Sequence, residues 1–410
     1  MSLLRRRDFL LIFGAFALSA LGDYVALITL TLRVQETTGS GWAVAALLLT
    51  GLVPPVLLAP VAGLLVDRLE TVRVLVVTAL LQAAVAAAMA LTPEVFPTLG
   101  LSFLLGVGLA VTQPALFALL PRAVGEDRTT QANAFLEVAR WGGAAAGPVL
   151  AAVLSQAFGA GSTLLANAGT FVAVAVLVSM LRVRRRPEPQ PEGAPAPRGQ
   201  AREGLVFIAR EPLLRLVVPM VGLMVVFAAA DNVAEVFFAK DVLSAGDTGY
   251  GVLITTWTIG MVMGSTAAGR FLTPAQLAPA VVILPIIGGA AVVVAATGAI
   301  YPLAVAMFLV GGFANGVELV GMRSLLHRRV PDRLRGRAFS LYFGMVQAAQ
   351  IVALGVSGGL VEAAGARMTM VIAGAGTAAV GVVGTFLFAR IPSGERRTTE
   401  PASVPPWVPA

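Results

Sequence analysis

Four carboxylates stand inside long apolar runs of this chain: Asp23, Asp231, Glu235 and Glu318. Ionisable side chains in such runs are expensive and mark a pathway for an ion or a substrate. A carboxylate there can carry a proton, because protonation erases its charge and changes which conformation is stable. Asp231 and Glu235 are one turn apart and share a helix face. Two carboxylates in a poorly hydrated site cannot both ionise cheaply, which suits a proton carrier. The alternative for Glu235 is a solvated position at the outer interface. For Asp23 and Asp231 it is an outer-gate hydrogen bond without proton traffic. Glu318 lies five residues before Arg323, so the two diverge around a helix and Glu318 is the better proton or cation site. Glu137 and Arg140, spaced i,i+3, read first as a structural ion pair, with an inner gate or substrate contact as the functional reading. His327, beside Arg328, reads as a surface histidine.

Other chemistries are closed off. The chain has no cysteine, one histidine and one lysine, Lys240. No disulfide framework, thiolate nucleophile or His-cluster metal site can form. Lys240 is followed by Asp241, so no phosphate-binding G-x-x-x-x-G-K-[ST] loop exists. Nor does Leu21-Gly22-Asp23 supply the G-x-G-D signature of an intramembrane aspartyl protease. These facts speak against an enzyme, and no cofactor or metal is expected.

The elements that must carry these residues follow from composition. Of 410 residues, 57% are hydrophobic and 12% charged, against about 25% charged in a soluble domain. Too few charges remain to cover a soluble surface, so lipid is the solvent. A membrane-crossing helix needs about 20 mostly apolar residues. Twelve such spans are predicted, at 9–32, 42–65, 73–92, 97–120, 131–156, 162–181, 213–239, 248–271, 276–299, 301–325, 337–362 and 367–389. A transmembrane barrel is excluded, because the runs do not alternate with period two. The expected fold is therefore an all-α membrane protein of twelve transmembrane helices.

Arginines concentrate at alternate span ends: Arg5 to Arg7, Arg68 and Arg73, Arg122 and Arg128, Arg182 to Arg210, Arg270, Arg328 to Arg337, and Arg390 onward. The other side holds only Arg33, Lys240 and Arg367. The positive-inside rule puts both termini in the cytoplasm. The net charge of +7 is thus a topology signal, and no nucleic-acid partner is expected. The first apolar run is too long for a signal-peptide core and reads as retained.

A Pro- and Arg-rich stretch, 182–204, divides the chain into six-span halves, 1–181 and 205–390, with a polar tail at 391–410 expected to be disordered. A shift of 208 lays Asp23 on Asp231 and Gly41-Trp42 on Gly249-Tyr250. A shift of 204 lays Ala134-Phe135 on Ala338-Phe339 and Gly161 on Gly365. Such a duplication predicts two pseudo-symmetric bundles with a site between them at the midplane.

Two motifs carry a family resemblance. Gly63-Leu64-Leu65-Val66-Asp67-Arg68, followed by Arg73, resembles the G-x-L-x-D-R loop motif of the major facilitator superfamily. It departs from the usual pattern at Glu70, Thr71 and Val72. Gly143-Ala144-Ala145-Ala146-Gly147-Pro148 resembles that superfamily's antiporter-type helix motif. Glu203 to Arg215, Val330 to Ala338 and Gly22-Asp23 are similar to the third drug:proton antiporter family, the macrolide-efflux and enterobactin-exporter branch. The resemblance implies that Asp67 meets the start of span eleven in one conformation. It also implies that spans one, four, seven and ten surround the substrate cavity. Asp23 and Asp231 would then face it from opposite halves, with Gln113, Asn232, Asn315 and Glu318 completing a polar lining. The branch's usual arginine in span four is absent between Leu101 and Leu120.

The resulting expectation is a proton-coupled exporter of an amphipathic small molecule in a bacterial inner membrane, working as a monomer by alternating access. An uptake carrier or uniporter of the same fold is the nearer alternative. A non-transporting membrane sensor or assembly protein is the other.

Overall fold

The computed structural model describes residues 3–184 and 200–392, without the side chains of Leu4, Pro60, Gly63, Asp67, Glu126, Thr130, Gln200, Ala201 and Arg202. The expected tail and most of the expected linker lie outside these residues. Helices occupy nearly all the rest: α1 Arg7–Thr38, α2 Gly41–Arg68, α3 Thr71–Leu91, α4 Val95–Val124, α5 Thr129–Ser179, α6 Gln200–Arg210, α7 Pro212–Ala228, α8 Asp231–Phe237, α9 Gly246–Phe271, α10 Leu277–Gly298, α11 Tyr301–Arg329 and α12 Asp332–Arg390. No strand occurs among the described residues. A hydrocarbon solvent forces this outcome, since only a helix or a closed barrel pairs every backbone group internally.

Ten helical stretches are long and apolar enough to cross a bilayer. Two of them are too long to be single spans. The 51 residues of α5 would reach about 77 Å as one rod at about 1.5 Å per residue, against a hydrocarbon core of roughly 30 Å. The 59 residues of α12 would reach further still. Each is divided by a glycine with positive φ, Gly159 (φ 82°, ψ 156°) and Gly365 (φ 78°, ψ 161°), a region open essentially to glycine alone. At Gly159 the chain reverses: Ser155 Oγ lies 3.5 Å from Thr163 Oγ1, whereas eight residues of straight helix would separate them by about 12 Å. Counting both limbs of α5 and α12 gives the twelve expected spans.

Two compact units emerge, Met1–Gln190 with Ser244–Thr255, and Pro191–Leu243 with Thr256–Ala410. The start of α9 thus belongs with the first unit rather than with the second half of the chain. Within the first unit a Cβ on Gly251 would stand 2.7 Å from the Pro148 carbonyl oxygen, and the Thr255 hydroxyl donates to the Ala145 carbonyl at 2.7 Å. Helix α6 begins at Gln200, inside the stretch read as linker, because residues 200–210 carry an amphipathic pattern.

The first core joins Phe9, Ile12 and Phe16 of α1 to Leu75 of α3, Leu116 and Leu119 of α4, and Leu136 and Val178 of α5. The second joins Leu214, Val217 and Val221 of α7 to Val281 of α10, Met322 and Leu326 of α11, and Leu334 and Tyr342 of α12. Large apolar side chains also point outward, among them Leu91, Phe96 and Phe386, as a lipid-facing surface requires.

Small residues set how closely helices approach in lipid. Along the α9–α11 seam a Cβ on Gly260, Gly264, Gly312 or Gly316 would collide with the carbonyl oxygens of Leu309, Phe313, Trp257 and Met261 respectively. Both helices carry a G-x-x-x-G pair, and the backbones touch there. Polar groups at the helix ends find fixed partners as well. Arg33 donates to the Met89 and Thr92 carbonyls at the end of α3, at 3.1 and 2.5 Å. Arg367 does the same for Ala296 and Thr297 at the end of α10, at 3.0 and 2.5 Å. Two of the three cations on the arginine-poor side are therefore helix C-caps, favoured by the orphan carbonyls and the negative dipole end.

Glu211 and Arg329 form a buried ion pair at 2.8 Å, each 7% exposed. The other Glu211 oxygen accepts the Leu214 backbone N–H at 2.5 Å, capping α7. The sequence places Arg329 among the arginines of a loop, and the burial of this end of α11 makes it a structural one.

Two outcomes follow for the purified protein in detergent. Gly312→Ala should lower stability by about 1–3 kcal/mol through overpacking, whereas Gly344→Ala, with nothing within 4 Å of its added Cβ, should change it by at most about 0.5 kcal/mol. Glu211→Ala should cost about 3–5 kcal/mol by removing the buried carboxylate that faces Arg329, and the double replacement Glu211→Leu with Arg329→Met should recover most of that loss. Thermal unfolding measures both, and equal melting of the two glycine variants would refute the seam.

Candidate functional site

The span carrying Asp231 is broken in the middle. Helix α7 ends at Ala228, Ala229 and Ala230 form a turn, and α8 starts at Asp231. A break inside a membrane span frees backbone groups that hydrocarbon cannot satisfy, so it persists only where protein or a polar cavity pairs them. Polar side chains gather at this break. The Asp231 carboxylate lies beside its own backbone N–H and that of Asn232. The Asn232 amide donates to the Ala229 carbonyl at 3.2 Å. The Ser357 hydroxyl of α12 donates to the Ala230 carbonyl. Asn232, expected in the substrate lining, spends its side chain on this break.

Around it the second unit forms a cavity of about 50 Å³. Asp231, Asn315 and Glu318 line it, together with Trp257 of α9, Gly288 of α10 and Thr377 of α12. Asp231 is 8% exposed and Glu318 4%. The Asn315 amide donates to Glu318 Oε2 at 3.4 Å. Three residues singled out from sequence are thus brought into one cavity. Glu235 is not in its wall. It is 7% exposed, so it is not solvated in the way the alternative reading supposed, and it lies within electrostatic reach of Asp231.

The first unit builds a separate polar cluster. Asp23 sits on α1 with Ser19 one turn earlier, whose hydroxyl donates to Asp23 Oδ2 at 3.3 Å. Neighbouring Tyr24 is within electrostatic reach of Asp23, Glu137 and Arg140. Arg140 and Glu137 pair at 3.4 Å, half-exposed, and the buried Arg140 Nε has no partner among the described residues. Close packing makes this cluster possible. A Cβ on Gly143 would lie 2.9 Å from the Ala20 backbone, and one on Gly147 would lie 2.6 Å from Tyr24 Cβ. The Gly143–Pro148 motif therefore lets α5 approach α1 where Asp23 stands. Gln113 is half-buried on α4 and makes no hydrogen bond among the described residues. Arg68 and Arg73 are exposed, while the side chains of Gly63 and Asp67 lie outside the described residues. His327 is exposed, as expected.

No described arginine, lysine or histidine forms an ion pair with Asp23, Asp231, Glu235 or Glu318. Sequence reading missed Trp257, Tyr24 and Ser357. Their partners come from distant helices, and no local spacing marks them.

A helical membrane protein with buried, unpaired carboxylates and a broken span is a transporter in architecture. The Major Facilitator Superfamily model matches residues 12–275 and 233–409, and the chain belongs to that superfamily. Its relatives include the uncharacterised MFS-type transporter YfiS of Bacillus subtilis (strain 168), 24% identical over 394 residues and covering 89% of each chain. The multidrug efflux pump Tap of Mycolicibacterium fortuitum is 25% identical over 399 residues, covering 93% of this chain and 96% of that one. Among solved structures, a variant of the nucleoside transporter NupG superimposes with a TM-score of 0.75 at 13% identity, over 93% of this chain and 99% of that one. A bacterial homologue of the human lysosomal transporter Spinster, facing inward and unoccupied, gives 0.70 at 15% identity, over 94% and 98%.

The helix break is testable at its partner on α12. Ser357→Ala removes the buried hydroxyl that donates to the Ala230 carbonyl and should lower stability by about 1 kcal/mol. An unchanged melting temperature, read by thermal unfolding in detergent, would show that this hydroxyl does not support the break.

Proposed function

We propose that this protein is a secondary active exporter that couples inward proton movement to outward movement of an amphipathic small molecule. The observation that carries the reading is the set of carboxylates in membrane-spanning helices, Asp231 and Glu318 buried and Asp23 half-buried, with no described cation paired to them. A permanent charge in such a place is expensive. A proton removes it, and gaining or losing that proton favours one conformation through the differing stability of the two states. Export is supported by the resemblance of the Gly143–Pro148 segment to antiporter-type motifs and by the multidrug pump among the relatives.

In this reading Asp23 and Asp231 are the first coupling or gating groups, followed by Glu318 and Glu235. Gln113, Asn315, Glu137 and Arg140 contact substrate, and Asn232 supports the break beside them. Gly63, Asp67, Arg68 and Arg73 form the conformational-switch loop. The protein works as a monomer in the bacterial inner membrane, its two six-helix domains joined by a cytoplasmic linker and both termini cytoplasmic, by alternating access. No enzymatic step or cofactor enters.

Inverted membrane vesicles test this. A proton gradient is imposed, and dyes, macrolides, tetracyclines and siderophores are screened for substrate-induced dissipation. At least one compound should release the gradient in the parent protein. Asp23→Asn and Asp231→Asn should each weaken that response by about 5- to 150-fold, the range of an ordinary coupling free energy. Full proton-driven efflux in both variants would overturn the assignment of these residues. Accumulation driven in right-side-out vesicles instead would make the protein an uptake carrier.

A further inference from the structure

An exposed arginine near the end of α11 is held against an aromatic ring that stands deeper in the second unit. Arg323 lies six residues before Arg329, the last of α11, or about 9 Å along the helix. Its guanidinium rests 5.6 Å from the ring centre of Phe343. Phe343 stands eleven residues after Asp332, the first of α12, or about 16 Å along that helix. In a helix the Cα–Cβ bond leans toward the N-terminus, so the Arg323 stem leads away from the arginine-rich end of α11. An arginine snorkelling to the water at that end would have to turn back. The contact occupies a face of the guanidinium and leaves its edge. Arg323 makes no hydrogen bond or ion pair among the described residues, so its five N–H donors are unspent. Phe343 is 42% exposed, and the Phe339 and Tyr342 rings lie 6.1 and 5.4 Å from it, centre to centre.

The same face of α12 continues as a polar strip. Ser340, Phe343, Gln347 and Gln350 recur at spacings of three and four residues, which is one side of a helix. Ser340 is exposed and both glutamines are half-buried. Neither glutamine makes a hydrogen bond among the described residues. Gln347 lies about 22 Å along α12 from Asp332, and an unpaired amide that met lipid there would be expensive. Lipid has another side of the helix to meet. Val352, about two and a half turns beyond Phe343, is on the opposite face, and Val356 follows it by one turn. Each is 54% exposed.

We propose that Arg323, Phe343, Gln347 and Gln350 form a recognition site for an aromatic organic anion, a ring that bears a carboxylate. The guanidinium edge takes the carboxylate through parallel N–H···O bonds. The exposed rings of Phe343 and Phe339 take the aromatic part, and the two amides take its polar substituents. The inference rests on the export reading above and names a substrate class for it.

Equilibrium dialysis of radiolabelled 1-naphthoate against the full chain in detergent tests the site. Saturable binding is expected, at least about 10-fold tighter than for 1-naphthamide, which lacks the charge. Arg323→Gln should weaken naphthoate by about 10- to 100-fold and leave naphthamide unchanged. Arg323→Lys, which keeps the charge without the planar fork, should restore only part of the loss. Phe343→Leu should weaken naphthoate by about 3- to 10-fold. These side chains are exposed, so the variants should melt with the parent. Absence of saturable binding, or equal binding by the parent and Arg323→Gln, overturns the proposal. So does a parent that ignores naphthoate while phosphatidylglycerol raises its melting temperature and not that of Arg323→Gln, since the arginine then holds a lipid headgroup. Binding in detergent needs no gradient, so the export reading is judged separately in the vesicles. Gradient release by another compound without naphthoate binding rejects this site and leaves export standing. Naphthoate binding without gradient release by any compound keeps the site and counts against coupled export.

Discussion

Hydrocarbon offers no hydrogen bonds, and the rest of this structure follows from that. In water, a broken helix or a lone carboxylate is solvated by whatever lies nearby. In lipid it must be partnered by the protein itself or held in a polar cavity. The helix break and several helix ends show how it is met. At the break between α7 and α8, Asn232 and Ser357 each donate to one carbonyl of the turn. At the ends of α3 and α10, Arg33 and Arg367 take the last carbonyls.

Against that background the carboxylates of Asp23, Asp231 and Glu318 are conspicuous. Glu211 shows how the fold treats a buried acid that serves stability alone: it receives an arginine at 2.8 Å and a backbone N–H. Glu318 receives one long amide contact, and Asp23 one hydroxyl contact. The same chain therefore contains both solutions. The difference lies in whether a fixed countercharge is supplied. A fixed countercharge would hold a carboxylate ionised through every step. Its absence leaves the charge free to be neutralised by a proton.

Glycine supplies the mechanical counterpart. The α9–α11 seam has no room for a methyl group at four positions, so the two backbones are held in direct contact there. Gly143 and Gly147 bring α5 onto α1 beside Asp23 in the same way. A side chain at either position would push α5 off α1, so these small residues fix where the helix carrying Asp23 stands.

By itself the sequence determined the solvent, the number of spans, and the identity of the acids in the lipid zone, because these depend on composition and on run length along the chain. It also marked the Gly143–Pro148 segment, whose residues act through their own small size. The tertiary structure alone decided which of those residues meet. Asp231, Asn315 and Glu318 share a cavity because α8 packs on α12, α12 on α10 and α10 on α11, a fact with no trace in local spacing. Asn232, a neighbour of Asp231 in the chain, is drawn away to the helix break. Arg33, Arg367 and Arg329 all looked like loop charges, since a cap or buried pair is created by a partner far away in sequence. A hydrophobic run reports only on the solvent it must enter, whereas a partnership reports on geometry, and geometry exists only after folding.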